Sequence, residues 1–267
     1  MSDNIHLPVI NLCPTMRCNL KCSLCGVLVP QYEYRPHMSL EDFSVMLKTI
    51  FQIIDSTGKL QLTGGEPLIH PELPEMIKEC FQYQEKFEHF LLITNCTIPI
   101  KSELMEILIN NKKKILVHVS DYGIKQNIIN ETLNLLKDND IAFKYYKYFG
   151  NDQYADGWVD QGDFVVHGRQ EKELIQIFLR CTHVKRGSWY VRGGQMHRCG
   201  RSIRGTELSK IPLRQEDYLD IYAGSLEERR EKLHKLMNVK MILACDYCNG
   251  LYGTEDKSKR CPAGEQL

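Results

Sequence analysis

The stretch Val9–Cys25, VINLCPTMRCNLKCSLC, decides how the chain is to be read. It opens with an aliphatic and β-branched run, Val9 to Leu12, suited to a buried strand. Beyond the strand, Cys18, Cys22 and Cys25 stand in C-x3-C-x2-C spacing, close enough for one short loop to wrap a single metal centre. A structural zinc or a saturated cluster takes four ligands, whereas three cysteines on an iron–sulfur cube leave one iron open to a chelating substrate. The stretch alone also admits a zinc site with a distant fourth ligand.

Outward from this loop, strands and helices alternate. Further strands are expected at Leu60–Leu62, Phe90–Thr94, Ile115–Val119 and Ile141–Tyr146. Between the first two, Phe43, Met46, Leu47, Ile50, Phe51 and Ile54 recur at helical steps behind Ser39 as N-cap. Later helices carry Leu73, Met76 and Ile77, then Leu104, Ile107 and Leu108, then Ile128, Leu133 and Leu136. A strand–helix unit of about 25 to 30 residues predicts a parallel α/β fold, barrel or open sheet, with the chemistry at the carboxyl ends of the strands. There Leu60–Leu62 runs into Thr63-Gly64-Gly65-Glu66-Pro67. Adjacent glycines let a ligand approach the backbone, and the carboxylate beyond can accept hydrogen bonds from an ammonium group.

Together the C-x3-C-x2-C loop and the Gly64-Gly65-Glu66 strand end resemble the radical S-adenosylmethionine (SAM) superfamily, over roughly residues 9 to 150. The resemblance implies a partial (β/α)6 barrel spanning 1–150 and a 4Fe-4S cluster held by Cys18, Cys22 and Cys25. SAM would chelate the open iron through its amine and carboxylate, with Gly64, Gly65 and Glu66 holding the amino group. Asn95, after Leu92-Ile93-Thr94, and Ser120, before Asp121, look like the family's SAM-pocket strand ends, although both are also ordinary turn formers. Leu24 departs from the more usual aromatic residue before the last cysteine, but it can still shield a cluster.

After Gly150 the polar stretch NDQYADGWVDQGD reads as a loop, giving a linker and return to the core over 151–180 and a small unit over 181–267. This half offers a helix over Lys172–Leu179, a hairpin-like SWYVRGGQMHRC, and a charged helix over Leu226–Leu236 with Glu228–Lys232 and Glu231–Lys235 as surface pairs. Cys181, Cys199, Cys245 and Cys248 could saturate one site, and four thiolates suit zinc and a 4Fe-4S cluster alike. Their order, a cysteine, then Gly194-x4-Cys199, then C-x2-C, is similar to the twitch domain, a shortened SPASM domain. That likeness implies a second, auxiliary 4Fe-4S cluster, in a layout most similar to the 2-deoxy-scyllo-inosamine dehydrogenases. Cys261 reads as a free thiol able to return a hydrogen atom, or as an alternative ligand. Cys13, Cys80 and Cys96 read as small buried hydrophobes. His167, Arg169 and His197 are candidates to reach a substrate, with His197 marked out by lying two residues before Cys199.

Composition narrows the function. With 267 residues, 43% of them hydrophobic, the chain can bury a large core. Lysine plus arginine (34) equals aspartate plus glutamate (34), so no global field draws in nucleic acid or an anionic membrane. No apolar run approaches the ~18 to 20 residues of a membrane span, and MSDNIHLPVI lacks the layout of a secretory signal. The expected compartment is the cytoplasm, where eleven cysteines serve as thiols or ligands. The resemblance implies reductive cleavage of SAM to a 5'-deoxyadenosyl radical, with flavodoxin or ferredoxin as electron donor. The leading expectation is oxidation of a hydroxylated small molecule (a sugar, aminocyclitol or nucleotide-linked alcohol) to a ketone, the auxiliary cluster accepting the second electron. Rival expectations are peptide modification, for which the first eight residues are too short for a leader-binding module, and sugar epimerisation or dehydration. A non-catalytic iron–sulfur or zinc protein would leave Gly64-Gly65-Glu66 without a purpose.

Overall fold

β1 (His6–Thr15) runs through the interior of an eight-stranded sheet in the computed structural model, which describes residues 4–154, 158–252 and 260–267. The chain then alternates α1 (Leu40–Ile53), β2 (Ser56–Gly64), α2 (Leu73–Phe81), β3 (Phe87–Thr94), α3 (Ser102–Asn110), β4 (Ile115–Asp121), α4 (Gln126–Asp138) and β5 (Phe143–Lys147). β1 to β5 pair in sequence order and all in parallel. Right-handed crossovers then put the intervening helices on one face. Register shows why. Ile10, Leu60, Phe90 and Ile115 lie side by side, as do Leu12, Leu62, Leu92 and Val117, and both rows are buried in the helix-facing core. The opposite face carries Tyr190, Asn11 and Gln61, followed in the same row by Leu91 and Leu116, so the concave side of this unclosed barrel is polar around β6, β1 and β2. Asn11 is fixed there, accepting from Gln61 Nε2 at 2.7 Å and donating to the Trp189 carbonyl at 2.9 Å. Ser39 caps α1 as expected, its hydroxyl accepting from the Asp42 amide at 3.1 Å.

The second half does not form a separate sheet. After α5 (Glu171–Arg180) and α6 (Thr182–Lys185), β6 (Ser188–Arg192) returns to the free edge of β1 and pairs with it in parallel. The hairpin expected at SWYVRGGQMHRC is present: β6 turns through Gly193 and Gly194, both at positive φ, into β7 (Gln195–His197), which pairs with β8 (Tyr218–Asp220). The sheet thus passes unbroken across the expected boundary near Gly150. Of the linker, residues 155–157 lie outside the described residues. α7 (Gly200–Glu207) sits against the hairpin, and α8 (Leu226–Met237) packs beside α1. One surface pair differs from expectation. Glu231 meets Lys235 at 2.7 Å, but Glu228 closes a capping box on the Ser225 amide while Lys232 donates to the Gln215 carbonyl.

Candidate active site

The carboxyl ends of β1 and β2 are laced together. Gly65 N–H donates to the Thr15 carbonyl at 2.8 Å, and Glu66 N–H to the Arg17 carbonyl at 2.7 Å, one residue before Cys18. Both glycines are required sterically. Gly64 has φ +139°, and a Cβ there would lie 2.5 Å from the Thr15 carbonyl oxygen and 2.7 Å from Cys13 Sγ; a Cβ on Gly65 would overlap the Arg17 carbonyl oxygen. What the glycines admit in this structure is the backbone leading into the cysteine loop.

Glu66 is 1% exposed. Its Oε1 accepts from Thr94 Oγ1 at 2.6 Å and the Leu68 amide at 3.0 Å, and its Oε2 from the Asn95 amide at 2.7 Å. Burial pushes its pKa up to about 7, opposed by these three donors. The Asn95 side chain donates to Asn19 Oδ1 at 3.1 Å and lies 3.9 Å from Cys18 Sγ, tying the end of β3 to the cysteine loop. Ser120 is buried. Asp121 instead ties β4 to its surroundings, accepting from Gly123, Gln126 and Tyr145.

Cys18, Cys22 and Cys25 share one electrostatic neighbourhood. Burial pushes the Cys18 thiol up to about 12, with Glu66, Cys25 and Cys22 adding to the rise, and Cys22 is raised in the same way. Residues 260–267 strap this loop. Ser23 N–H donates to the Glu265 carbonyl at 2.8 Å, Leu267 N–H to the Lys21 carbonyl at 2.8 Å, and Gln266 Nε2 to Cys22 Sγ at 3.4 Å. Among the described residues no three His, Cys, Asp or Glu side chains converge as ligands of one metal ion do. An iron–sulfur cube makes a different demand, because each thiolate takes a separate iron and the sulfurs stand farther apart than around one zinc. A set of three thiols alone, on one loop and within each other's field, fits that donor chemistry.

Cys181, Cys199, Cys245 and Cys248 line a single small pocket, partly open to solvent, whose other walls include Phe178, Val184 and Leu251. Four thiols in an otherwise apolar wall fit a soft, thiolate-bound centre. Burial pushes Cys181 up to about 12, with Cys199 and Cys248 adding to the rise. Arg169 braces the loop behind them, its Nη1 donating to the carbonyls of Cys245 at 2.9 Å and Cys248 at 3.0 Å, while the Asp246 carboxylate accepts from the Arg169 amide at 2.9 Å.

Residues 12–139 match the protein family described as the Radical SAM superfamily. They form a radical SAM domain. Among curated proteins, the GTP 3',8-cyclase of Aquifex aeolicus (strain VF5) is 29% identical over 134 residues, 48% of this chain and 41% of that protein. The 7,8-dihydro-6-hydroxymethylpterin dimethyltransferase of Methanocaldococcus jannaschii is 34% identical over 85 residues, 32% of this chain and 16% of that protein. The chain thus matches less than half the length of these relatives. Among solved structures, BtrN in complex with AdoMet and 2-DOIA superposes with a TM-score of 0.57 at 14% identity, covering 93% of this chain and 95% of that one. That likeness is one of fold.

The radical SAM domain gathers Cys18, Cys22, Cys25, Gly64, Gly65, Glu66 and Asn95 at neighbouring strand ends. His197, Arg169 and His167, expected to reach a substrate, are engaged elsewhere, and Cys261, expected to return a hydrogen atom, sits at the start of the strap. His197 is fully buried: its Nδ1 meets Ser202 Oγ and its Nε2 meets Gln195 Oε1, both at 3.0 Å, so neither nitrogen is free. Arg169 is engaged on the Cys245–Cys248 loop, with His167 donating its amide to the Asp246 carbonyl nearby. Cys261 is buried beside Trp158, whose carbonyl accepts from its amide at 3.1 Å. Two features had no signal in the sequence. One is Gln266 on Cys22; the other is the aromatic row of His118, Tyr146, Tyr148, Tyr122 and Trp158 beside the cysteine loop. No helix among the described residues is long and apolar enough to cross a membrane.

Proposed function

We propose that the chain is a radical SAM oxidoreductase that removes hydrogen from a hydroxylated small molecule, a sugar, aminocyclitol or nucleotide-linked alcohol, and leaves a ketone. Cys18, Cys22 and Cys25 would hold one 4Fe-4S cluster, and Cys181, Cys199, Cys245 and Cys248 a second in a twitch-like unit. If bound there, the first would supply the electron that splits SAM into methionine and a 5'-deoxyadenosyl radical, and, once the substrate radical has given its hydroxyl proton to a base, the second would accept the remaining electron. The observation that carries this reading is the Glu66 carboxylate, buried one residue-to-residue hydrogen bond from the loop bearing Cys18.

The protein's own residues then have definable tasks. Glu66 is fixed by Thr94, Leu68 and Asn95 and retains lone pairs for an ammonium group. Burial raises its pKa to about 7, and a bound ammonium group would favour its charged form. Residues 260–267 cover the Cys22 side of the loop and limit water there. Arg169 holds the Cys245–Cys248 loop in shape without offering a charge to a substrate. Similarity to a cyclase and a methyltransferase over the SAM-binding half supports the shared radical step and leaves the outcome to the rest of the chain. Eleven cysteines suit a protein of the reducing cytoplasm, and the resemblance to the radical SAM family implies flavodoxin or ferredoxin as its electron donor.

Anaerobic purification with iron and zinc counts tests this. About eight irons per chain are expected, and about four irons with one zinc would contradict the electron-accepting role. Cys248→Ala should keep dithionite-driven formation of 5'-deoxyadenosine but block ketone formation. Equal loss of both would mean that the second site is only structural.

A further inference from the structure

The loop carrying Cys18, Cys22 and Cys25 is held from outside by residues 260–267, and the two run antiparallel. Cys22 pairs with Gln266, Ser23 N–H donates to the Glu265 carbonyl at 2.8 Å, and Leu267 N–H donates to the Lys21 carbonyl at 2.8 Å. The strap is tied on its other side as well. Cys261 N–H donates to the Trp158 carbonyl at 3.1 Å and Ala263 N–H to the Gln153 carbonyl at 2.6 Å, while Arg260 bridges to Val159. Between these ties Gly264, at φ +65°, passes so close to the Tyr122 ring that a Cβ would lie 2.3 Å from it. Backbone pairing and packing therefore fix the register of the strap against the cysteine loop.

That register delivers one side chain to a sulfur. Gln266 Nε2 donates to Cys22 Sγ at 3.4 Å, from 244 positions away in sequence. Partners on either side determine which way the carboxamide points: Oε1 accepts from the Lys21 amide at 2.8 Å, and Nε2 also donates to the Gly264 carbonyl at 2.5 Å. Turned over, the group would set its NH2 against the Lys21 N–H and its oxygen against the Gly264 carbonyl, and would lose both bonds. An N–H, not an oxygen, therefore faces the sulfur. Cys18 is served differently, its Sγ receiving the backbone N–H of Leu20 at 3.4 Å, a donor that every residue except proline would supply there. At Cys22 the donor depends on the identity of one side chain. Cys22 is itself buried, so water competes little for its lone pairs, and a hydrogen bond to an ionised sulfur is stronger than one between neutral groups.

We propose that Gln266 sets the reduction potential of the cluster on Cys18, Cys22 and Cys25 by donating its side-chain N–H to the Cys22 thiolate. This deepens the proposed function and rests on its placing of a 4Fe-4S cluster on that loop. Gln266 is a positioning residue that acts through the sulfur. An added electron makes a cluster and its thiolates more negative, so a donor at a sulfur stabilises the reduced form and raises the potential. Water reaching the sulfurs solvates the same charge and raises the potential too. Loss of the N–H alone therefore lowers the potential, whereas loss of cover alone raises it, and the sign of the change separates the two roles.

The test is a redox titration of the anaerobic holoprotein in the Cys248→Ala background, followed by electron paramagnetic resonance, with Gln266 intact and with Gln266→Leu, which fills nearly the same volume and offers no N–H. Poised at one solution potential without SAM, Gln266→Leu should show a ratio of reduced to oxidised cluster about threefold lower, equivalent to a midpoint about 30 mV more negative. Its circular dichroism and iron content should be unchanged. An unmoved midpoint overturns the inference, and so does a higher one, which would leave the side chain only the exclusion of water. If Gln266→Leu loses its circular dichroism or its iron, Gln266→Met carries the test, with the same outcomes on either side. SAM is then added to the protein with Gln266 intact. Absence of a 4Fe-4S signal, or a signal indifferent to SAM, overturns the proposed function and this inference with it, whereas a SAM-responsive cluster with an unmoved midpoint in the variant removes the role of Gln266 alone.

Discussion

Gly65 and Glu66 act as a pair, the first by having no side chain and the second by burying one. A Cβ on Gly65 would strike the Arg17 carbonyl oxygen, which is backbone and cannot swing aside. Gly65→Ala should therefore destabilise the protein by about 1–3 kcal/mol and displace the cysteine loop, seen as a lowered melting temperature together with lower iron content. An unchanged melting temperature would mean that the strand ends can separate freely. His118 illustrates a different constraint. Burial, with Lys144 and Arg186 nearby, lowers its pKa to about 4. A depressed histidine binds fewer protons folded than unfolded, so its contribution is intact above about pH 6.5 and is lost as pH falls toward 4. Urea unfolding at pH 7.5 and 5 should show wild type losing on the order of 1 kcal/mol more than His118→Gln. Equal losses would place His118 in water.

At the scale of elements, the strap formed by residues 260–267 is the part of the site most open to perturbation. Gln266 is its only side chain that reaches a cysteine sulfur among the described hydrogen bonds, at 3.4 Å from Cys22. Gln266→Ala should leave far-ultraviolet circular dichroism unchanged and accelerate loss of the cluster's visible absorbance in air several-fold. Identical bleaching would show that the strap shields nothing. How much of this was legible follows from distance along the chain. The cysteine spacing, the Gly64-Gly65-Glu66 turn and the Ser39 cap are local patterns and could be read directly. The return of β6 to the edge of β1 is non-local: Ile10 pairs with Trp189, and nothing in either neighbourhood specifies the other. The strap was hidden for the same reason. Glu228 could be read as a partner for Lys232, but the capping box at Ser225 competes for the same carboxylate and holds it. His197 drew notice through its place before Cys199, whereas its burial depends on Ser202 and Gln195, which only the folded hairpin brings to its ring.

At the scale of the molecule, one sheet carries both cysteine centres. β1 leads into the first, and β6 and β7, extending the same sheet, lead to Cys199 in the second. Beside β1 and β6, Asn11, Tyr190, Arg192 and Arg204 line a small pocket. Under the proposed function, a substrate held on the concave face would lie on the sheet that carries both proposed clusters. All of this depends on an iron with an open position at the Cys18, Cys22 and Cys25 loop. The most direct measurement is electron paramagnetic resonance of the anaerobically reduced Cys248→Ala protein, in which the first cluster dominates, with and without SAM. The expected result is a 4Fe-4S signal whose g values shift when SAM is added and that disappears in a Cys22→Ala background. A signal indifferent to SAM, or one that survives loss of Cys22, would contradict it.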